Sequence, residues 1–255
     1  MTTPKEAMIF AAGLGTRMAP ITDRMPKALV KVRGRPLLGH VMDRLVAAGA
    51  QRIIVNTSRH GESIARWLRA HAPAGVKIAL SPEPDGPYDT GGGLAAAAHL
   101  FRADGPIILH NVDVLSRIPL DQLLDEHRAA RARLGEKLVA TLAVQTRPAK
   151  RRILFDDVGM VGWGSEQARP PQGVVRDLAF AGIHVIEPEL LKSQAVGNRQ
   201  SAIGKVFPIR DVYMDLARRG YIIHPADVSA HEWLDVGTPE RLREAEEKVP
   251  GDALQ

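Results

Sequence analysis

Apolar residues along this chain recur in two alternating rhythms. Short apolar runs at residues 7–11, 52–56 and 76–80 read as strands. Between the first two, Leu37, Leu38, Val41, Met42 and Leu45 repeat with helical spacing behind Pro36, a favourable helix start, and Gly49 follows as a stop. Ile64, Trp67 and Leu68 mark a second helix before the third strand. This succession predicts a βαβαβ unit with a parallel sheet, hence the α/β class. A fourth strand is expected at 106–110, and Leu120, Leu123, Leu124 and His127 then share one face of a further helix.

The second half is less regular. Strand-like segments fall at 138–144, 152–155, around the 159–162 turn region, and at 180–186. A helix is expected at 209–218, a short strand at 221–223, and a last helix behind Thr238-Pro239, where Thr suits the N-cap and Pro the first helical position. No internal repeat is evident. Residues 1–250 read as one domain, with 251–255 as a frayed tail.

Composition narrows the chemistry. The 255 residues are 45% hydrophobic and 25% charged, enough to bury a sizeable core. With no cysteine, disulfides, thiolate metal sites and a Cys nucleophile are excluded, and a reducing cytoplasm is the expected compartment. The first residues lack a signal-peptide pattern, and no apolar run approaches the roughly 18 residues that span a bilayer. A formal charge of +5 favours anionic ligands, but the basic residues are scattered and no nucleic-acid module accompanies them. No membrane or nucleic-acid partner is expected, and a monomer or small homo-oligomer is.

Three places carry candidate chemistry. Directly after the first strand stands Ala11-Ala12-Gly13-Leu14-Gly15-Thr16-Arg17. Glycines there let the backbone approach a phosphate, and Arg17 with Lys27 downstream adds positive charge. Neither the dinucleotide fingerprint nor the P-loop fits, since Met18 replaces the third glycine and Gly-Lys-Ser/Thr is absent. Glycines alone are equally compatible with a plain strand-to-loop turn. The second place is Asp89-Thr90-Gly91-Gly92-Gly93, read as a glycine turn entering a helix at 94–100 with Thr90 as cap, its bare backbone able to lie against a flat ring. The third pairs Asn111-Val112-Asp113, after the fourth strand, with Trp233-Leu234-Asp235-Val236-Gly237-Thr238-Pro239. Either aspartate alone is compatible with loop capping; together they suit Mg²⁺, which takes one or two carboxylates plus phosphate oxygens.

Taken as one string, Gly13-x-Gly15-Thr16-Arg17, Pro20, Thr22, Pro26-Lys27-Ala28-Leu29-Val30 and Gly34-x-Pro36-Leu37 resembles the N-terminal signature of the sugar-1-phosphate nucleotidyltransferases. The resemblance implies a three-layer αβα Rossmann-like fold with a mixed, mostly parallel sheet. It implies an enzyme joining a nucleoside monophosphate to a sugar 1-phosphate, with pyrophosphate released. It casts Arg17 and Lys27 as catalytic and puts residues 11–16 on the triphosphate. Asp89, Thr90, Gly91 and Gly92 then meet the nucleobase, and Asp113 and Asp235 hold Mg²⁺.

The Thr-Gly-Gly-Gly string is similar to that of uridylyltransferases acting on N-acetylmuramate 1-phosphate, so UTP is favoured and GTP with mannose or heptose 1-phosphate is the alternative. Asn111 and Gly182, the latter in Phe180-Ala181-Gly182-Ile183, are expected at the sugar, and a bulge or close strand packing explains Gly182 equally well. Two departures stand out. Val112 occupies the place of the family's usual glycine before Asp113, and the Glu-Lys-Pro string whose lysine meets the sugar phosphate is absent; Arg151 or Arg152 before the strand at 153–155 is a candidate substitute, and a solvated basic pair explains them equally well. A metal-dependent glycosyltransferase would show Asp-x-Asp where Asn111-Val112-Asp113 stands, and a non-catalytic sensor would not need Arg17, Lys27, Asp113 and Asp235 together. His60, His99 and His224 lack metal-ligand spacing and are expected to pack or cap.

Overall fold

A computed structural model describes residues 6–150, 152–193 and 204–249. Arg151 and the expected tail at 251–255 lie outside these. The first strand, β1 (Glu6–Phe10), is buried along its whole length. Its alternate residues explain why: Ala7 and Ile9 join one hydrophobic cluster, while Met8 and Phe10 join another on the opposite sheet face. A strand buried on both faces reads as a continuous apolar run, as expected between two helical layers.

After β1 come a short helix α1 (Ile21–Arg24), a two-stranded ribbon of β2 (Lys31–Val32) and β3 (Arg35–Pro36), and α2 (Leu37–Ala47). Helix α2 starts behind Pro36 and ends in the turn at Gly49, whose φ of 89° is the left-handed conformation that glycine tolerates. β4 (Arg52–Thr57), α3 (Gly61–His71), β5 (Lys77–Pro82), α4 (Asp89–Ala97) and β6 (Ile107–Asn111) complete the parallel block, in the spatial order β6-β1-β4-β5. β7 (Val114–Ser116) and α5 (Leu120–Leu134) follow.

The remaining strands are β8 (Leu138–Gln145), β9 (Arg152–Phe155), β10 (Met160–Trp163), β11 (Glu166–Gln167), β12 (Arg176–Ile186), β13 (Ile222–Asp227) and β14 (Trp233–Asp235). Long strand β12 is the seam. Its C-terminal part runs antiparallel to β6, its N-terminal part to β9, and β8 lies antiparallel along it with a register shift between Phe180 and His184. β13 then adds parallel to β8, so the ten-stranded sheet is mixed. β14 leaves this sheet to pair with β7. The face bearing α2, α3 and α5 holds one cluster; the other holds α4 and the helix Ile209–Arg218. The layers are thus the αβα arrangement expected.

Two local expectations need correction. The helix expected at 94–100 begins at Asp89, so Gly91, Gly92 and Gly93 are helical and Thr90 is not its cap. Glycine is a poor helix former, and packing overrides that preference here. The strand expected at 221–223 runs on to Asp227 because it has β8 to pair with throughout. The Thr238 cap is as read: its Oγ1 accepts from Arg241 N at 3.3 Å, with Pro239 opening the helix Pro239–Lys248.

A buried ion pair pins the β9–β10 hairpin. Asp156 accepts the Arg169 fork at 2.6 and 2.7 Å, and also backbone N–H groups of Val158, Gly159 and Gln172 at 2.9, 3.0 and 2.6 Å. Burial alone would raise its carboxyl, but the Arg169 fork and the three N–H donors outweigh it and hold the group well below its ordinary 3.8. A carboxyl depressed in the fold contributes stability above its unfolded value and loses it as pH falls. Stability should therefore decline below about pH 4, and Asp156→Asn should flatten that decline while costing about 3 kcal/mol at pH 7. Urea unfolding of both proteins between pH 3 and 7 checks this; identical profiles would remove Asp156 as the cause.

Candidate functional site

The carboxyl ends of β1, β4, β5 and β6 open into a cleft of about 270 Å³. It is lined on one side by Ala12, Gly13, Gly15, Thr16, Arg17 and Lys27, and on the other by Asn56, Glu83, Asp89, Thr90, Asn111 and Asp113. Ligands of open α/β sheets bind at this end of the strands.

Residues 11–16 form a loop fixed at its two ends. Ala11 N donates to Asn56 Oδ1 at 2.7 Å, and Ser58 Oγ donates to the Ala12 carbonyl. At the far end Gly15 takes φ 66°, and its carbonyl accepts from Met18 N and Thr22 Oγ1, both at 2.8 Å. A Cβ on Gly15 would stand 2.9 Å from Thr22 Cγ2 and 3.1 Å from Lys27 Cβ, so glycine is required both by conformation and by the closeness of the lysine. Between those anchors Gly13 and Leu14 are exposed, and nothing lies within 4 Å of a Cβ placed on Gly13.

Lys27 is buried, yet its ammonium reaches the cleft and pairs with Asp113. Asp113 follows β6, and its carbonyl accepts from Val236 N at 2.8 Å. The β7–β14 ribbon sets Asp235 opposite Val114, which brings the second carboxylate beside the first. Asp235 Oδ1 is buried and has no hydrogen-bond partner among the described residues. Burial, then repulsion from Asp113, raise its carboxyl above the ordinary range; Lys27, Arg17 and Arg241 pull the other way. A buried carboxylate oxygen without a donor, next to another carboxylate, is what a hard divalent cation would satisfy, so these residues fit one. Among the described residues no group of three or more His, Asp or Glu side chains converges, so other oxygens would have to complete the shell. Arg17 packs over Gly237, its Nη2 3.0 Å from where a Cβ would sit.

The opposite wall was only partly foreseen. Asp89 and Thr90 line the cleft, and Asp89 has φ 58°, a left-handed conformation that aspartate tolerates better than most residues. Thr90 Oγ1 accepts from Ile209 N at 3.0 Å. Gly91 and Gly92 turn their bare faces to the 205–207 segment, and both N–H groups donate to the Phe207 carbonyl at 3.0 Å. Sequence reasoning missed Asn56 and Glu83. Asn56 Nδ2 donates to Glu83 Oε1 at 2.8 Å, and Tyr88 N donates to Oε2 at 2.6 Å. Burial raises the Glu83 carboxyl, while those two donors lower it and nearby Asp89 raises it further. Asn56 is near the carboxyl end of β4 and Glu83 just follows β5, the strand-end position that also marked Asp113.

Gly182 sits in the bulge of β12 with φ 74°, outside the cleft lining, and a Cβ there would meet Val114 Cγ2 at 2.9 Å and Asn111 Nδ2 at 3.0 Å. The Arg152 guanidinium donates to Asp177 Oδ1 at 2.6 Å, to the Asp177 carbonyl, and to the Arg147 carbonyl at 2.9 Å, and it does not line the cleft either. His224 pairs with Glu126 at 3.4 Å, and His60 stands at the N-cap of α3.

Residues 6–251 match the nucleotidyl transferase family. The N-acetylmuramate alpha-1-phosphate uridylyltransferase of Neisseria meningitidis is 33% identical over 241 residues, covering 94% of this chain and 96% of that protein. The protein of the same name from Caulobacter vibrioides is 30% identical, covering 96% and 97%. A mannose-1-phosphate guanylyltransferase of Mycobacterium tuberculosis is 32% identical over 92% of this chain, which spans 62% of its length. Among solved structures, a putative glucose-1-phosphate thymidylyltransferase from Bacillus anthracis superposes with a TM-score of 0.77 at 18% identity, covering 95% of this chain and 94% of that one.

Proposed function

This chain belongs to the nucleotidyl transferase family, and from that premise we propose that it transfers a nucleoside monophosphate from a triphosphate to a sugar 1-phosphate. The observation that carries the reading is the convergence of the glycine loop, Lys27, Asp113 and Asp235 at one end of the parallel strands. UTP and N-acetylmuramate 1-phosphate are favoured, because the two relatives matched along nearly their whole length bear that name. GTP with mannose 1-phosphate is the second reading, supported by the mycobacterial relative. Residues 6–249 act as one unit in this reading, the parallel block binding nucleotide and the β8–β13 half the acceptor. The reaction belongs to nucleotide-sugar synthesis, for cell wall if the acceptor is N-acetylmuramate, and to the cytoplasm, where triphosphates are made. Among the described residues no helix is long and apolar enough to cross a membrane.

The chemistry is an in-line displacement. An oxygen of the sugar 1-phosphate forms a bond to the α-phosphorus, the bond from that phosphorus to the bridging oxygen breaks, and pyrophosphate leaves with the electron pair. The attacking oxygen is already anionic at neutral pH, so no general base is needed. What the protein supplies is alignment and opposite charge. The amides of residues 11–16 and Arg17 face the triphosphate, and Lys27 balances the charge that develops on the leaving group. Asp113 and Asp235 would hold Mg²⁺, which neutralises phosphate oxygens and polarises the α-phosphorus when bound. Asn111 and Gly182 are assigned to the sugar, and Asp89 and Thr90 to the nucleoside.

Pyrophosphate release with Mg²⁺ tests the reading, crossing the common triphosphates with N-acetylmuramate, N-acetylglucosamine, glucose, mannose and heptose 1-phosphates. Release requiring one triphosphate and one sugar phosphate together is expected. Release from the triphosphate alone, or silence across the panel from folded protein, would sink it.

A further inference from the structure

The sequence lacks the lysine that would meet the acceptor's phosphate, and Arg152, a candidate substitute, is spent on Asp177 and on the Arg147 carbonyl. Another cation stands close to the carboxylate pair, although like Arg152 it lies outside the lining of the cleft itself. Arg147 follows β8, and its guanidinium lies over the Trp233 ring, 3.7 Å from the centroid. Trp233 and Asp235 are alternate residues of β14, so their side chains leave the strand on the same face, roughly 7 Å apart. Trp233 is itself pinned, its indole N–H donating to the Ala181 carbonyl at 2.7 Å. Arg147 Nη2 donates to the neighbouring Phe180 carbonyl at 2.9 Å, which ties the guanidinium to the bulge that carries Gly182. Burial weighs most on this guanidinium; of the charges acting on it, Asp235 attracts it while Arg241 and Arg152 repel it.

We propose that Arg147 binds the 1-phosphate of the acceptor, and that Arg152 is a positioning residue that fixes the Arg147 backbone. A guanidinium has five N–H groups. Among the described residues Arg147 uses Nε on Gln145 Oε1 at 3.1 Å, one Nη2 hydrogen on Phe180 and one Nη1 hydrogen weakly on Pro148 at 3.5 Å. One donor on each terminal nitrogen is left, a pair suited to two oxygens of one phosphate. Stacking on Trp233 fixes the plane of that pair in advance, so little side-chain freedom is lost when an anion arrives. Arg152 completes the arrangement from below: its Nη1 holds the Arg147 carbonyl while Asp177 holds its other two nitrogens.

This inference rests on the proposed reaction, and the experiment separates the two. Wild-type release of pyrophosphate on the sugar-phosphate panel establishes the reaction; silence there overturns both. Given a working pair, Arg147→Ala should raise the acceptor KM by 10- to 100-fold, leave the triphosphate KM within about twofold, and be partly rescued by Arg147→Lys. Arg152→Gln should raise the same KM less, by about 3- to 10-fold, and add little to Arg147→Ala in the double variant, because both act through one contact. The penalty should be equal for acceptors with and without a second acidic group. A penalty confined to carboxylate-bearing sugars would assign Arg147 to the sugar instead of its phosphate and overturn the proposal. So would an unchanged acceptor KM, or penalties of Arg147 and Arg152 that simply multiply.

Discussion

Asp235→Asn is expected to lower turnover by roughly 10²- to 10³-fold while leaving the fold as stable as before, or more stable by up to about 1 kcal/mol. The two halves of that result have one cause. Asp235 Oδ1 is buried without a partner, and both burial and the Asp113 charge oppose its ionised form. Removing the charge relieves that strain and at the same time removes a ligand for the cation. Asp113→Asn should lose activity to a similar degree with the opposite effect on stability, down by about 2 kcal/mol, because it abandons the buried Lys27 ammonium. Turnover measured beside thermal unfolding, each with and without Mg²⁺ and triphosphate, resolves the two. Mg²⁺-dependent stabilisation should vanish in both variants. If Asp235→Asn retains turnover and still gains stability with the metal, Asp235 is not a ligand.

The second large effect is on folding. Gly92→Ala should cost about 3–5 kcal/mol, lowering the melting temperature by roughly 10 °C or preventing soluble expression. The new Cβ would fall 1.9 Å from the Lys205 carbonyl oxygen and 2.9 Å from Tyr88 Cβ, and backbone cannot swing aside as a long side chain can. Gly13→Ala is the informative contrast, since nothing lies within 4 Å of its Cβ and its conformation is ordinary. That variant should melt within about 2 °C of wild type, with any defect appearing in triphosphate binding. Circular-dichroism melts of the two variants separate a glycine needed for packing from one needed for a ligand. Equal melting temperatures would show that the 205–207 segment does not press on α4 in solution.

That contrast shows where the sequence was legible. The parallel block and the last helix could be read because their signals are local: apolar runs at strand length, helical spacing behind Pro36, a glycine stop at position 49, a Thr-Pro cap at 238. The glycines at 91–93 misled because composition there says turn, whereas the space they occupy is set by Phe207 and Lys205, far along the chain. Lys27, Asp113 and Asp235 were singled out by residue type and position, and then by family likeness. What joins them is a ribbon of two three-residue strands, too short to leave any periodicity. Arg147 carried no signal at all, because its meaning depends on Trp233 lying beneath it. Arg152 left two readings open, since a basic pair before a strand says nothing about Asp177 on the neighbouring strand.

The β7–β14 ribbon also sets a clock on synthesis. A ribosome delivers residues in order at about 5–20 per second, and the four strands of the parallel block are complete by Asn111. The strand bearing the second carboxylate is the last to be translated of those described, so Asp113 and Asp235 come together only when nearly the whole chain has been made. A product truncated anywhere before Trp233 would lack Asp235, and with it the proposed second ligand for the cation.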